Sequence, residues 1–305
     1  TSNESKCIFL TKEQTSKILE LVQNSYQDTF SNEDLIARNI NKNINQTNYY
    51  QNNILDFNDE DKESLNWLVT NIVNRLYKQY RKPLVNQKIG KLSNKLESGF
   101  PHTHEDAIFF SENFCKQLNN YKRNNNINDA LKSQGLTFIH ECIHVWQRKE
   151  TNKFEDLYKN YWNFEHVPII NNEEIMGKVR KNPDGTDYNW VFCKNGKNIW
   201  PVALYNNTNP KNLGDVKYMG IYLDQLNSQD SQDTSKQFKY SHNNKRKELR
   251  DISLFIDFFN IYENNYHPNE ISAELLSNYY MFLMKMKTME LTDPGIQGLI
   301  LWLNK

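Results

Sequence analysis

The first third of the chain carries apolar residues at a helical period. A short apolar run, Cys7 to Leu10, precedes Thr11-Lys12-Glu13-Gln14, which reads as a capping box. The spacing predicts a helix to about Gln27, with Ile18, Leu19, Leu21, Val22 and Tyr26 inward, and a second short helix capped by Ser31. The Asn-dense stretch from Asn41 to Asn53 reads as a surface loop. Leu65, Leu68, Ile72, Leu76 and Tyr80 recur at three- and four-residue steps, predicting a helix over Asp59–Tyr80 that Pro83 closes.

From Val85 the period changes. Val85–Leu92 and Ala107–Phe110 are expected as strands, and the second is the expected edge to which an extended peptide would pair by β-addition. Leu136 to Gln147 is apolar nearly all round, which marks a buried helix. Asp156–Phe164 predicts another short helix. Between about 167 and 240 helical periodicity is lost. Asn195-Gly196 marks a tight hairpin joining Tyr188–Cys193 to Asn198–Tyr205, Val216–Leu223 adds a strand, and polar Gln225–Ser241 reads as a mobile loop. Two helices close the chain, Lys245–Tyr262 and one from Pro268 to about Met289. The expected fold is α+β: a helical region over 1–84, then 85–305 with a small mixed sheet beside the buried helix and a hairpin-rich insertion at about 167–240, together one compact unit.

Chemistry concentrates in the buried helix. His140-Glu141-Cys142-Ile143-His144 is an H-E-x-x-H pattern, and on a helix positions i and i+4 share a face, so both imidazoles can reach one metal ion. Glu141 stands beside them, placed to take a proton from a metal-bound water. Zinc is the expected metal. The bland alternative is a buried helix with two satisfied histidines. His102 and His104, just ahead of the Ala107 strand, are further candidates as ligands or substrate contacts.

Composition narrows the class. The 37 acidic and 37 basic side chains cancel, so no electrostatic case exists for nucleic acid or an anionic membrane as partner. Cys7, Cys115, Cys142 and Cys193 are far apart and form no C-x-x-C pair, which argues against a disulfide framework or a cysteine metal site. The longest apolar run, Ile296 to Leu303, is too short to span a membrane. The chain opens at Thr1 without Met and shows no signal peptide, so a soluble protein, cytoplasmic or secreted after processing, is expected.

A catalytic zinc takes three protein ligands and keeps one position open. Gln147 and Glu150 stand where a metzincin has Gly and His, which removes that route. Glu165 and His166 are one source of a third ligand. Glu270 is the preferred one, because Glu274 follows one turn later on the same face and can hydrogen-bond a histidine ligand's free ring nitrogen.

With these residues in place the chain resembles the gluzincin metallopeptidases. Glu270-Ile271-Ser272-Ala273-Glu274 looks like the E-x-x-A-E segment of those of the lethal-factor kind, and the aromatic stretch Leu254–Tyr262 before it is also similar. The likeness covers only the metal helix and the closing helical segment. It implies a zincin-like fold and an endopeptidase in which His140, His144 and Glu270 bind zinc, Glu141 is general base and Glu274 supports the ligands. Enzymes of that kind place a Tyr seven residues before the ligand Glu, where this chain has Glu263, so Tyr266, Tyr262 and His267 are the candidate oxyanion donors. The expected partner is a peptide or protein substrate. The alternatives are a catalytically silent zincin-fold binding protein and a metallohydrolase acting on a non-peptide amide.

Overall fold

The computed structural model describes residues 6–305 except 42–44, 171–172, 186, 227–236 and 241–245. In order come β1 (Ile8–Phe9), α1 (Lys12–Leu21), α2 (Asn32–Ala37), α3 (Gln46–Gln51), β2 (Ile54–Leu55), α4 (Asp59–Arg75), β3 (Lys88–Leu92), β4 (His102–His104), β5 (Ala107–Ser111), α5 (Glu112–Arg123), α6 (Ile127–Ala130) and α7 (Leu136–Lys149). There follow α8 (Thr151–Asp156), β6 (Phe164–His166), β7 (Ile169–Ile170), α9 (Glu173–Met176), β8 (Trp190–Lys194), β9 (Lys197–Tyr205), β10 (Val216–Gln225), β11 (Phe238–Tyr240), β12 (Arg246–Glu248), α10 (Ser253–Phe259), α11 (Pro268–Leu283) and α12 (Pro294–Leu303). The protein is α+β.

The chain forms two compact units. The first comprises Thr1–Glu150 and Ala273–Met289. Its sheet runs β1-β3-β5-β4, with β2 against β3. The boundary expected at residue 84 is crossed by a strand pair, since β1 lies parallel to β3 with Ile8 opposite Lys88. β5 is internal, flanked by β3 and β4, so the expected edge role of Ala107–Phe110 falls instead to His102–His104. Successive side chains alternate between faces of a sheet. On one face Ala107 and Phe109 join Leu10, Leu19, Leu35 and Leu92 in an apolar core. On the other, Phe110 meets Phe138 of α7 at a ring separation of 6.3 Å.

Local signals explain the helix starts. Thr11, Ser31 and Asn58 each close a capping box at the head of α1, α2 and α4. Asn45 caps α3, within the stretch expected to be loop. α1 stops at Leu21, which is exposed, so the apolar pattern that suggested a helix to Gln27 does not describe one buried face.

The second unit comprises Thr151–Ser272 and Glu290–Lys305. Its seven-stranded sheet, ordered β6-β8-β9-β10-β11-β7 with β12 on β10, is far more than an inserted hairpin. Asn195 and Gly196, both at positive φ (51° and 70°), make the tight turn between β8 and β9, a conformation that glycine adopts without steric cost. One face buries Val191, Trp200, Val202 and Ile221, while Phe192 on the other packs against Phe255, Phe258 and Phe259 of α10. Two expected helices are shorter than the sequence suggested. Arg246–Glu248 is a strand paired to β10, where Lys217 and Glu248 make a cross-strand ion pair of 3.0 Å, so the helix expected from Lys245 starts only at Ser253. The helix expected over Asp156–Phe164 holds through a π-helical turn at Leu157–Tyr161, and only its end differs, since Phe164 belongs to β6, where it pairs with Phe192. α12 adds a third closing helix. Most of the loop expected over Gln225–Ser241 lies outside the described residues. No helix among the described residues is long and apolar enough to cross a membrane.

The first unit is pinned by a buried polar knot. Arg38 donates to Asp34 and to Glu97, each at 3.0 Å, and to the hydroxyl of Tyr26 at 2.7 Å, while Tyr50 donates to the other oxygen of Glu97. Arg38, Asp34 and Glu97 are all at most 2% exposed. Removing the cation strands two buried carboxylates. Arg38→Met is expected to cost about 3–5 kcal/mol in urea unfolding, whereas Lys17→Met, which breaks only the exposed pair with Glu13, is expected to leave the midpoint unchanged.

Candidate metal centre

A π-helical turn, Leu131–Gly135, leads directly into α7, and such widened turns are frequent at functional sites. α7 buries Phe138, Ile139, Cys142, Ile143 and Val145, which holds the helix rigid around its polar residues. One turn apart, His140 and His144 converge, with Nε2 to Nε2 at 3.0 Å. The Nδ1 of His144 lies 2.9 Å from Oε1 of Gln147. An amide oxygen only accepts, so the hydrogen-bond network assigns the proton to Nδ1 and leaves a lone pair on Nε2. Glu141 is 5% exposed.

Helix α11 runs unbroken from Pro268 to Leu283 and carries Glu270 and Glu274 one turn apart on one face. Glu274 approaches Nδ1 of His140 to 3.9 Å, longer than a hydrogen bond, and its other oxygen accepts from Asn278 at 2.8 Å. One turn earlier on the same helix, Glu270 is 4% exposed. Two neutral imidazoles and one carboxylate suit a first-row divalent ion.

The other candidates are placed elsewhere. His102 and His104 pair with Phe109 and Ala107, so both rings lie on the sheet face turned away from α7. There they pack with Phe109 and, for His104, with Tyr26. Neither ring lines a cleft beside α7. Thr103, between them, faces α7, and Arg148 donates to its carbonyl oxygen at 3.1 Å and to its hydroxyl. The Nε2 of His166 lies 2.5 Å from Asp187. Trp190, Trp200 and Tyr205 are buried in the second unit's sheet. Tyr262 and Glu263 are exposed.

Tyr266 is 1% exposed, stacked on Tyr218 at 5.4 Å, with the Arg180 guanidinium 4.9 Å from its ring centre. Its hydroxyl oxygen accepts from Nδ2 of Asn182, which also donates to Oε1 of Glu270 at 2.7 Å. Burial raises the Tyr266 phenol well above its ordinary range, Arg180 opposes this, and Glu270 adds to it. The net effect keeps the hydroxyl protonated. His267 spends both ring nitrogens on backbone, Nε2 donating to the Asp187 carbonyl at 2.6 Å and Nδ1 accepting from the Asn269 amide at 3.1 Å.

Comparison with protein-family models, with curated proteins and with solved structures finds no match.

Two contributing residues escaped sequence reasoning. Gln147 sits three residues past His144, a spacing that places it on the same face, so a local signal existed. Asn182 lies 88 residues from Glu270, and nothing local announces it.

Burial sets the behaviour of the thiols. It pushes Cys7 from 9.0 up to about 12; burial and the nearby Asp61 do the same for Cys115. Cys142, in α7, is likewise raised by burial. A raised folded-state pKa stabilises fully below the unfolded value and is lost as pH climbs toward the folded one. The urea midpoint is therefore expected to fall steadily as pH rises from 9 toward 12, and a midpoint that rises across that window contradicts the assignment. In the native protein at neutral pH, half-buried Cys193 should react first with a thiol reagent and the three buried thiols only on unfolding.

Proposed function

We propose that this chain is a zinc-dependent endopeptidase of the gluzincin kind, with a zincin-like arrangement around α7. What carries the proposal is the convergence of the His140 and His144 Nε2 atoms, with Glu274 of α11 beside His140 and Glu270, the proposed third ligand, one turn earlier on that same helix. The orientation of His144 by Gln147 supports it, because ligand histidines almost always have their second nitrogen held by a partner.

A dication held there would polarise a scissile carbonyl and acidify a bound water. Glu141, adjacent to His140 and held on the same rigid helix, would accept the water's proton on its carboxylate and return it to the departing amine. Gln147 would keep His144 in the tautomer whose Nε2 can ligate. Tyr266, protonated and bonded to the same amide as Glu270, is the proposed donor to the oxygen that gains charge during attack. His267 would act at one remove, since both its nitrogens fasten the start of α11.

Zinc content by mass spectrometry and cleavage of a peptide library, each with and without chelator, test the reading together. Glu141→Gln should retain metal and lose about 10²–10⁴-fold in kcat. Glu270→Ala should carry less metal after dialysis. Cleavage that survives the chelator, or a wild-type protein that takes up no zinc, removes the proposal. A metal-loaded protein that cleaves nothing in the library points to the silent binding protein instead.

A further inference from the structure

Asn182 lies in a turn with no place in the H-E-x-x-H scheme, yet that turn is fastened to the start of α11 at four points. Nδ2 of Asn182 donates to Oε1 of Glu270 at 2.7 Å and to the Tyr266 hydroxyl. Asn269 donates from its side chain to the Asp184 carbonyl at 2.9 Å. His267 donates to the Asp187 carbonyl at 2.6 Å. Gly185 lies flat against the His267 ring, where a Cβ would stand 3.0 Å from Cγ. The turn is braced within itself, since Oδ1 of Asn182 accepts from the Asp184 amide at 3.2 Å, which orients the side-chain amide and aims Nδ2 outward. Upstream, the backbone of Arg180 is tied to Ala203 of β9 at 2.9 Å.

We infer that Asn182 is a positioning residue for the metal centre, its one amide nitrogen setting both the rotamer of the Glu270 carboxylate and the place of the Tyr266 hydroxyl. This inference rests on the metallopeptidase reading and deepens it. A primary amide nitrogen has two protons, and here each has a named acceptor, one a proposed ligand and one a proposed oxyanion donor. A neutral donor suits the task. A Lys or Arg in its place would neutralise the carboxylate that the cation needs, whereas an amide steers it and leaves its charge available.

Asn182→Asp separates positioning from folding. Its carboxylate can still accept from the Asp184 amide and so keep the turn, but it cannot donate to Glu270 and sets a like charge beside it. Asn182→Ala removes both functions. Zinc affinity of the full chain is measured by competition with a chromophoric chelator, together with the visible spectrum of the cobalt-substituted protein. Circular dichroism monitors folding. Both variants are expected to bind zinc about 10–100-fold more weakly than wild type, the range found for outer partners of metal ligands. The cobalt spectrum should change while the circular dichroism does not. A folded Asn182→Asp with wild-type affinity and an unchanged cobalt spectrum overturns the assignment and leaves the metallopeptidase reading standing. Failure of the wild type to bind zinc or cobalt removes the metallopeptidase reading first, and this inference with it.

Discussion

Two imidazoles and a carboxylate have to be held inside a helix whose other residues are core, and unpartnered polar groups in such a place cost several kcal/mol each. Much of the architecture around α7 answers that constraint. Gln147 takes the inner nitrogen of His144, and Arg148, one residue on, reaches back to Thr103 of the edge strand. The helix is thereby tied to β4 by polar bonds on one side and to β5 by packed rings on another. With its surroundings fixed, α7 can present the two Nε2 atoms toward one point without rotating to relieve their approach. Preorganisation of this sort is what a ligand pair needs, because the ordering cost is met during folding and not at binding.

A second constraint concerns α11. Its first turn contains Glu270, and Tyr266 and His267 lie just before it, all nearly excluded from solvent. The first amides of a helix lack intrahelical partners, and the Nδ1 of His267 accepts from one of them, at Asn269. The same ring donates through Nε2 to Asp187, so one side chain both caps the helix and anchors a loop. This capping explains why His267, attractive on paper as an oxyanion donor, has a structural occupation. Tyr266 differs: its oxygen accepts from Asn182, so the phenolic proton itself is not spent in that bond.

How far the sequence could be read depended on the range of each signal. The capping box at Thr11, the cap at Ser31, the Asn195-Gly196 turn and the H-E-x-x-H spacing are encoded within a few residues, and each stands in the structure where expected. Elements decided by distant partners were misread. Arg246–Glu248 has charges enough for a helix surface but is drawn into pairing by β10. His102 and His104 looked like site residues because of their type, and only the register with β5 shows that they share the face of Phe109. Arg38 and Glu97 carry no motif at all, although their knot is among the most buried polar clusters described. Asn182 belongs with these, since nothing near it in the sequence says what its amide will meet.

The choice of partners around the proposed ligands has its own logic. His144 is held by an amide oxygen and Glu270 by an amide nitrogen, both neutral, while the carboxylate of Glu274 stands off from His140 at 3.9 Å. Glu141 and Glu274 set a local excess of carboxylates about the two imidazoles, in a chain whose acidic and basic side chains balance. Neutral amides orient such groups without cancelling that local excess, and carboxylates left in excess favour a dication over a proton shared between two imidazoles. Arg148, four residues past His144, reaches to Thr103, and Arg180 lies over the ring of Tyr266. The local charge is therefore built by placement and not by composition, which is why the balanced totals of acids and bases were silent about it.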